Sequence, residues 1–309
     1  SGISKLASRQ QYTFNTALSA NTISAPVTRF PVLIRITNTG ILTAVQSGAP
    51  DIRFSDADQV TWLDYEVERW TSTAAEVWVL VPQIDRNTTT DHIVLHYNDV
   101  VNGSVPDAQN PANVWVDYAG VWHMGEGTSG TAFDSTVFGN DAAQVNGTAS
   151  NVAAIVGNGR QFSADNAMRV VYDDSFNAST RSFTITAWMY EPVIFNPVYQ
   201  PPRTIISRGS GSNYWRIKGL GITACIIGTN PGFEIDQGGA TTDVVLGATF
   251  AAFCVDGGTW IHMTAVQSAT SGTRLYGNGV LEAQNGSVRN MEQLQNLSLR
   301  SEERRVGKE

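Results

Sequence analysis

The sequence is short of cysteine, of histidine and of basic charge, and each shortage closes off a class of protein. Only two cysteines, Cys225 and Cys254, occur in 309 residues, so no disulfide framework and no Cys-x-x-Cys metal or redox motif can be built. The pair could form a cross-strand disulfide or remain as two buried thiols. Lys and Arg number 20 against 28 Asp and Glu, for a formal net charge of -8. The acidic residues are scattered, and no basic stripe exists to hold a phosphate backbone or anionic lipid, so nucleic acid is not an expected partner. The most apolar stretch, Val244 to Val255 between Asp243 and Asp256, falls well short of the roughly 17–25 residues that cross a bilayer. No membrane insertion by this segment is expected. Catalytic templates are missing too. There is no G-x-S-x-G, H-E-x-x-H or phosphate loop, and no Glu-x-Asp-x-x-Glu strand that would set two carboxylates across a sugar bond. The expectation is therefore a protein that is not an enzyme.

The chain opens at Ser1 without Met and without the basic head and apolar middle of a signal peptide, which reads as a processed product or a fragment. Its last ten residues, RSEERRVGKE from Arg300 to Glu309, carry seven charges in ten, an abrupt change of composition. That string matches a sequencing adapter translated in frame. The expectation is that 300–309 is read-through, that the source is assembled environmental DNA, and that the natural polypeptide continues past Leu299.

What is present favours strands. The chain is 42% hydrophobic with 28 glycines and heavy use of Thr, Asn and Val, which suits short strands and turns. The length suits two domains of roughly 100–150 residues. Phe30 to Ile36 (FPVLIRI), Asp51 to Phe54, Trp62 to Trp70 (WLDYEVERW), Val77 to Val81 and Ile93 to Tyr97 read as strands, several of them alternating. Nothing before residue 110 holds a helical period for three turns. A Pro/Asn/Gly-containing stretch, Asn102 to Ala112, then leads to more strand signals: Ser182 to Tyr190 (SFTITAWMY), Thr204 to Ser207, Tyr214 to Lys218, Thr259 to Val266 and Arg274 to Tyr276. The last runs into Gly277-Asn278-Gly279, an Asn-Gly hairpin signal. The fold expected is all-β, two tandem β-sandwiches over 1–110 and 114–299. Asn-x-Ser/Thr triplets at Asn87, Asn102, Asn146, Asn177 and Asn296 are given no function, since such a composition makes them by chance.

Two resemblances sharpen this. Residues 119–148, Gly157-Asn158-Gly159 before Phe162, SFTITAWMY, IISRG, WIHMTAV and LYGNG fall in the order of laminin-G-like modules of the concanavalin-A-like lectin/glucanase superfamily. That implies a jelly roll over about 115–299. Such modules close with a further strand after a Leu-x-Leu segment. Here Asn296-Leu297-Ser298-Leu299 is followed by the adapter-like string, so the module is expected to lack its last strand. The first half, through FPVLIRI, DIRFSDAD, LDYEVERW and AEVWVLVP over residues 9–100, resembles the bacterial domain of unknown function 2341. That domain sits before laminin-G-like modules in surface proteins and in some chains is attached to MotA/TolQ/ExbB-type proton channels.

Few constellations could carry chemistry. Glu66 and Glu68 share a strand face, but Arg69 beside them points to a solvated strand surface. His92 and His96 lie about 13 Å apart on an extended strand, too far to grip one ion. His123 and His262, flanked by apolar residues, belong to the core or its rim. The loop Phe133 to Asp141 offers Asp134, Asn140 and Asp141 as hard oxygen ligands for Ca²⁺, by analogy with laminin-G-like modules. The alternative is an ordinary Asx turn. The proline-rich insert Glu191 to Arg203 carries Phe195, Tyr199, Gln200 and Arg203, where stiffly held aromatics can stack on sugars or partner side chains. The functional expectation is a non-catalytic recognition or adhesion segment outside the cytoplasm, binding glycan or surface protein. The alternative is a structural ectodomain spacer of an envelope protein.

Overall fold

The computed structural model describes residues 8–17, 23–45, 49, 51–98, 109–127, 130–162, 166–171, 173–176, 182–190, 204–210, 213–218, 232–237, 240–245, 259–288 and 297–299. Among these the chain is all-β, as its composition indicates. It divides into two compact units. The first runs to Gly125 and includes Asp134–Gly139, and the second holds Glu126–Phe133 and everything from Asn140. The division falls later than the boundary near 114 expected from the linker-like stretch, because residues after 110 pack on strands of the first unit.

Among the described residues the first unit has seven strands: β1 (Ser8–Thr13), β2 (Val27–Ile36), β3 (Arg53–Asp56), β4 (Trp62–Leu63), β5 (Tyr65–Trp70), β6 (Ala75–Ile84) and β7 (His92–Tyr97). They form a four-stranded antiparallel sheet, β1-β7-β3-β4, and a three-stranded one, β2-β6-β5. Alternation drives the burial. Val77, Val79 and Val81 of β6 are buried with Ile34 and Ile36 of β2, Phe54 of β3 and Ile93 and Leu95 of β7. A six-residue helix, α1 (Thr39–Ala44), is capped by the Asn38 side chain, which accepts from Gly40 N at 2.9 Å, and buries Ile41 and Leu42. It is too short to print a helical period. A second short helix, α2 (Pro111–Val114), begins with Pro just inside an Asn110 cap, the favoured first-turn arrangement.

The second unit has β8 (Thr131–Ala132), β9 (Ala142–Val145), β10 (Ser150–Ala153), β11 (Asn158–Gln161), β12 (Ala167–Val170), β13 (Phe183–Tyr190), β14 (Thr204–Ser210), β15 (Asn213–Lys218), β16 (Gly232–Gln237), β17 (Ala240–Val245), β18 (Trp260–Ser268), β19 (Gly272–Gly277), β20 (Val280–Asn285) and β21 (Leu297–Leu299). An eight-stranded sheet, β17-β16-β15-β14-β21-β12-β9-β8, accompanies a four-stranded sheet, β13-β18-β19-β20, and the hairpin β10-β11. Phe183 of β13 packs 5.5 Å from Trp215 and 6.3 Å from Phe233 of the larger sheet, ring to ring, which joins the two sheets through an apolar core. The strand expected to be missing would follow Leu299 and lies outside the described residues. The Leu-x-Leu segment is β21, and it pairs with β12 on one side and β14 on the other.

Two turns fix this unit. Asn278 and Gly279 both have positive φ between paired Gly277 and Val280, the two-residue primed turn that the Asn-Gly signal calls for. At Gly272, φ is +74° and an added Cβ would stand 2.1 Å from the Asn285 carbonyl oxygen. Gly272→Ala is therefore expected to destabilise the unit by at least roughly 1–3 kcal/mol, and a thermal melt of the full chain checks it.

Candidate functional site

In the first unit the outer face of the β2-β6-β5 sheet departs from simple alternation. Val67 pairs with Val77 and Arg69 with Glu76, so two residues of β5 face one step of β6 and Glu68 is the extra residue of a β-bulge. The bulge re-aims the side chains that follow it. Arg69, which strict alternation would place with Val67, instead makes two 2.7 Å hydrogen bonds to the Glu76 carboxylate. Glu76 is buried, and Arg69 is its hydrogen-bonded cation. Arg69→Ala is expected to cost about 2–3 kcal/mol, mostly from the stranded carboxylate, measurable by urea denaturation.

Glu66 and Glu68 were expected on a solvated surface, and the structure corrects this. Glu66 is 8% exposed, because the segment after α2 lays Trp115, Tyr118 and His123 over the strand. Trp115 stacks edge-on to Trp78 at 5.2 Å and to Tyr118 at 5.1 Å. His123 stands between the two carboxylates: Nε2 donates to Glu66 Oε2 at 2.9 Å and Nδ1 is paired with Glu68 Oε2. Glu66 also accepts from the Trp115 indole N–H and, at 2.7 Å, from the Ser135 hydroxyl, while Glu68 accepts from the Trp78 indole N–H at 3.2 Å. His123 thus lies at a buried ionic rim rather than in an apolar one. Met124, directly after it, holds φ at +63°, a left-handed conformation that a non-glycine residue adopts only when its surroundings compel it.

The electrostatics follow from this geometry. Burial alone would push the His123 imidazole down, but the two carboxylates outweigh it and hold it up at about 10. Burial alone would raise Glu66, but hydrogen bonds and the His123 charge carry it below the usual carboxylate value. With both ring nitrogens donating to carboxylates, His123 is an imidazolium that cannot take a proton. Ser135 donates to a carboxylate and is not activated as a nucleophile. The cluster clamps Trp115, His123 and Ser135 onto the sheet.

The other sequence candidates are placed as follows. Asp134 in the first unit accepts from Val121 N at 2.8 Å and from Thr136 N and Oγ1 at 3.0 and 2.7 Å, the pattern of an Asx turn. Asn140 in the second unit donates its amide to Ser175 Oγ at 2.8 Å, and Asp141 is exposed. No group of three or more His, Cys, Asp or Glu able to hold a metal occurs among the described residues. His92 Nδ1 lies 2.9 Å from the Thr90 carbonyl. His96 is buried against Trp62, with Nε2 2.8 Å from Ser55 Oγ, and burial pushes it down to about 4. Phe195, Tyr199, Gln200 and Arg203, with Cys225 and Cys254, lie outside the described residues.

In the second unit the outer face of β13-β18-β19-β20 carries a surface that the sequence reading missed. Its inner side carries Met189, Ile261, Met263, Ala265 and Leu275, with Phe183 packed on the facing sheet. On the other side Tyr190 pairs with Trp260 across β13 and β18, their rings 5.4 Å apart, and Trp188 pairs with His262 at 5.0 Å. Trp188 is 45% and Tyr190 46% exposed. The next row across the sheet is Thr186, Thr264, Tyr276 and Leu281, and the last is Thr184, Val266, Arg274 and Gln284. Asn278 of the hairpin turn exchanges hydrogen bonds with the His262 backbone, 2.8 and 2.9 Å, and Gly159 of β11 lies against the Trp260 ring. The available signal was parity. In SFTITAWMY and WIHMTAV, Trp188, Tyr190 and Trp260 fall on the positions opposite the Ile/Met/Ala set, whereas Phe183 falls with it.

Glu234 of β16 is buried and shares a strand face with Asp236, and Arg216 grips it at 2.9 and 3.0 Å and the Tyr214 hydroxyl donates to it.

No curated protein matches the chain. A family model described as Domain of unknown function (DUF2341) matches residues 49–140, later in the chain than the 9–100 suggested by the motifs, and its span takes in Glu66, Glu68, Trp78, Trp115, His123 and Ser135, the whole of the clamp.

Proposed function

We propose that the chain is a non-catalytic recognition segment working outside the cytoplasm, in which the first unit is a rigid support and the second makes contact with glycan or surface protein. What carries this reading is the outward set Trp188, Tyr190, Trp260 and His262, of which Trp188 and Tyr190 are exposed and Trp260 and His262 half-buried. An antiparallel sheet with one face in water ordinarily turns polar residues outward, and contiguous exposed aromatic surface marks an interaction site. The laminin-G-like order of motifs in the second half supports the same class. No helix among the described residues is long and apolar enough to cross a membrane. The insert with Phe195, Tyr199, Gln200 and Arg203 is kept as a separate recognition candidate on its composition alone.

The test is capture. Full chain displayed on beads is screened against glycan arrays and purified cell-surface proteins beside a Trp188→Ala/Tyr190→Ala variant, since single contacts are weak and display supplies avidity. The parent is expected to be retained and the variant lost. If neither is retained, the spacer reading replaces this one, and the saturated Glu66–His123–Glu68 cluster already suits a support. Calcium on the Phe133 to Asp141 loop is a separate proposal, and binding would have to compete with the donors that Asp134 already accepts. An ion at about 100 times its Kd adds about 2.7 kcal/mol of stability. A melting midpoint raised by millimolar-range Ca²⁺ over chelator supports it, and an unchanged midpoint removes it.

A further inference from the structure

We infer that the outer face of β13-β18-β19-β20 takes an internal stretch of a neutral polysaccharide, its pyranose rings stacked on Trp188, Tyr190 and Trp260 and its hydroxyls met by the threonine rows. The inference rests on the recognition reading and narrows it to one ligand chemistry.

Three observations carry it. The first is charge. Within a chain of net charge -8, these four strands hold one Arg, one Glu and one His. Glu282 is the extra residue of the β20 bulge, and His262 is pushed down by burial and so neutral at physiological pH. The face therefore offers neither the basic field that an anionic polymer requires nor the acidic one that a cationic partner requires. The second is the mix of groups. Ring faces sit beside Thr184, Thr186 and Thr264, with Gln284 at the far edge, so apolar C–H faces and hydroxyls of one sugar can be met together. A protein partner would leave the threonine row facing apolar side chains, where unpaired hydroxyls are costly. The third is shape. The rings stand on the flat of a sheet, in pairs tilted by 46° and 54°, with neighbouring pairs about 7 Å apart along the strand. A run of platforms suits successive sugars of a polymer rather than a chain end held in a pocket.

The experiment is affinity electrophoresis of the full chain through gels containing xyloglucan or galactomannan, with polygalacturonate and heparin as anionic arms, and depletion by microcrystalline cellulose. Variants are Trp188→Ala, Trp188→Phe, Tyr190→Ser and Arg274→Gln, each compared with the parent by thermal melt. At least one neutral polymer should retard the parent, equally at low and high salt. Trp188→Ala and Tyr190→Ser should each bind about tenfold more weakly, the loss of one stacked ring, while Trp188→Phe keeps most of the binding. Arg274→Gln should leave retardation unchanged. If Trp188→Ala fails to fold, Tyr190→Ser, on the same exposed edge strand, decides. Retardation only by polygalacturonate or heparin, abolished by salt and by Arg274→Gln, would overturn the neutral-ligand inference while leaving a recognition function standing. Self-association in sedimentation that Trp188→Ala abolishes would assign the face to a second copy and overturn it too. If no polymer retards the parent, or the ring variants bind as the parent does, the inference fails, and protein capture under the broader screen then decides the recognition reading separately.

Discussion

Replacement of His123 by alanine is expected to cost the first unit roughly 3–5 kcal/mol, the largest single effect of any substitution considered, because it leaves two buried carboxylates facing each other without a cation. Glu66 would keep the Trp115 and Ser135 donors and Glu68 the Trp78 donor, but neutral donors do not offset two desolvated like charges. On a unit of this size the melting midpoint should fall by something on the order of 10 °C or more. Combining His123→Ala with Glu66→Gln should recover part of that loss, since one of the stranded charges is removed. The double-mutant cycle would then show strong coupling. Independent, additive losses would mean that the three groups do not act as a unit.

The second large effect is alkaline weakening. His123 has a folded value raised to about 10 from an ordinary 6.5. Its contribution is therefore fully present below about pH 6.5 and is lost as pH rises through about 10, several kcal/mol in all. His96 runs the other way. Its folded value is depressed to about 4 by burial, so its contribution is present above about 6.5 and is lost as pH falls through about 4. Glu66, lowered below its ordinary 4.5, adds to the acid loss beneath that value. Tyr12 and Tyr65, pushed up to about 12 by burial, lose theirs only above pH 10. Urea midpoints followed through Trp78 and Trp115 fluorescence should therefore peak near pH 6.5 and fall steadily from 7 to 9.5. In His123→Gln the alkaline limb should be flat. An alkaline limb of parental slope in that variant would place the titrating group elsewhere.

How much of this could be read from the residues differs by element. Strands with strict parity, such as AEVWVLVP and WIHMTAV, were legible because one face is uniformly small and aliphatic. The hairpin at Asn278-Gly279 was legible because few residues accept positive φ twice in succession. The burial of Glu66 was not legible. Its cover, Trp115 and His123, arrives about 50 residues later in the chain, and the strand itself reads E-x-E-R like any wet edge. The bulge at Glu68 is equally silent, since it exists only in the pairing of β5 with β6. Trp188 and Trp260 could be placed on the outward parity, but only the long-range register that sets Tyr190 opposite Trp260 turns scattered aromatics into a surface. Expectations for Phe195 and Tyr199 rest on stiffness and composition and are untouched by the described geometry.

The central claim is that recognition takes place on the outward aromatic face of the second unit and that the clamp of the first is support. Hydroxyl-radical footprinting of the full chain, with and without a retarding neutral polysaccharide, tests it most directly. The account predicts that bound polymer shields Trp188, Tyr190 and Trp260 from oxidation while Trp78 and Trp115 react as before. Shielding confined to the first unit, or no change at Trp188 and Tyr190 under saturating polymer, would contradict it.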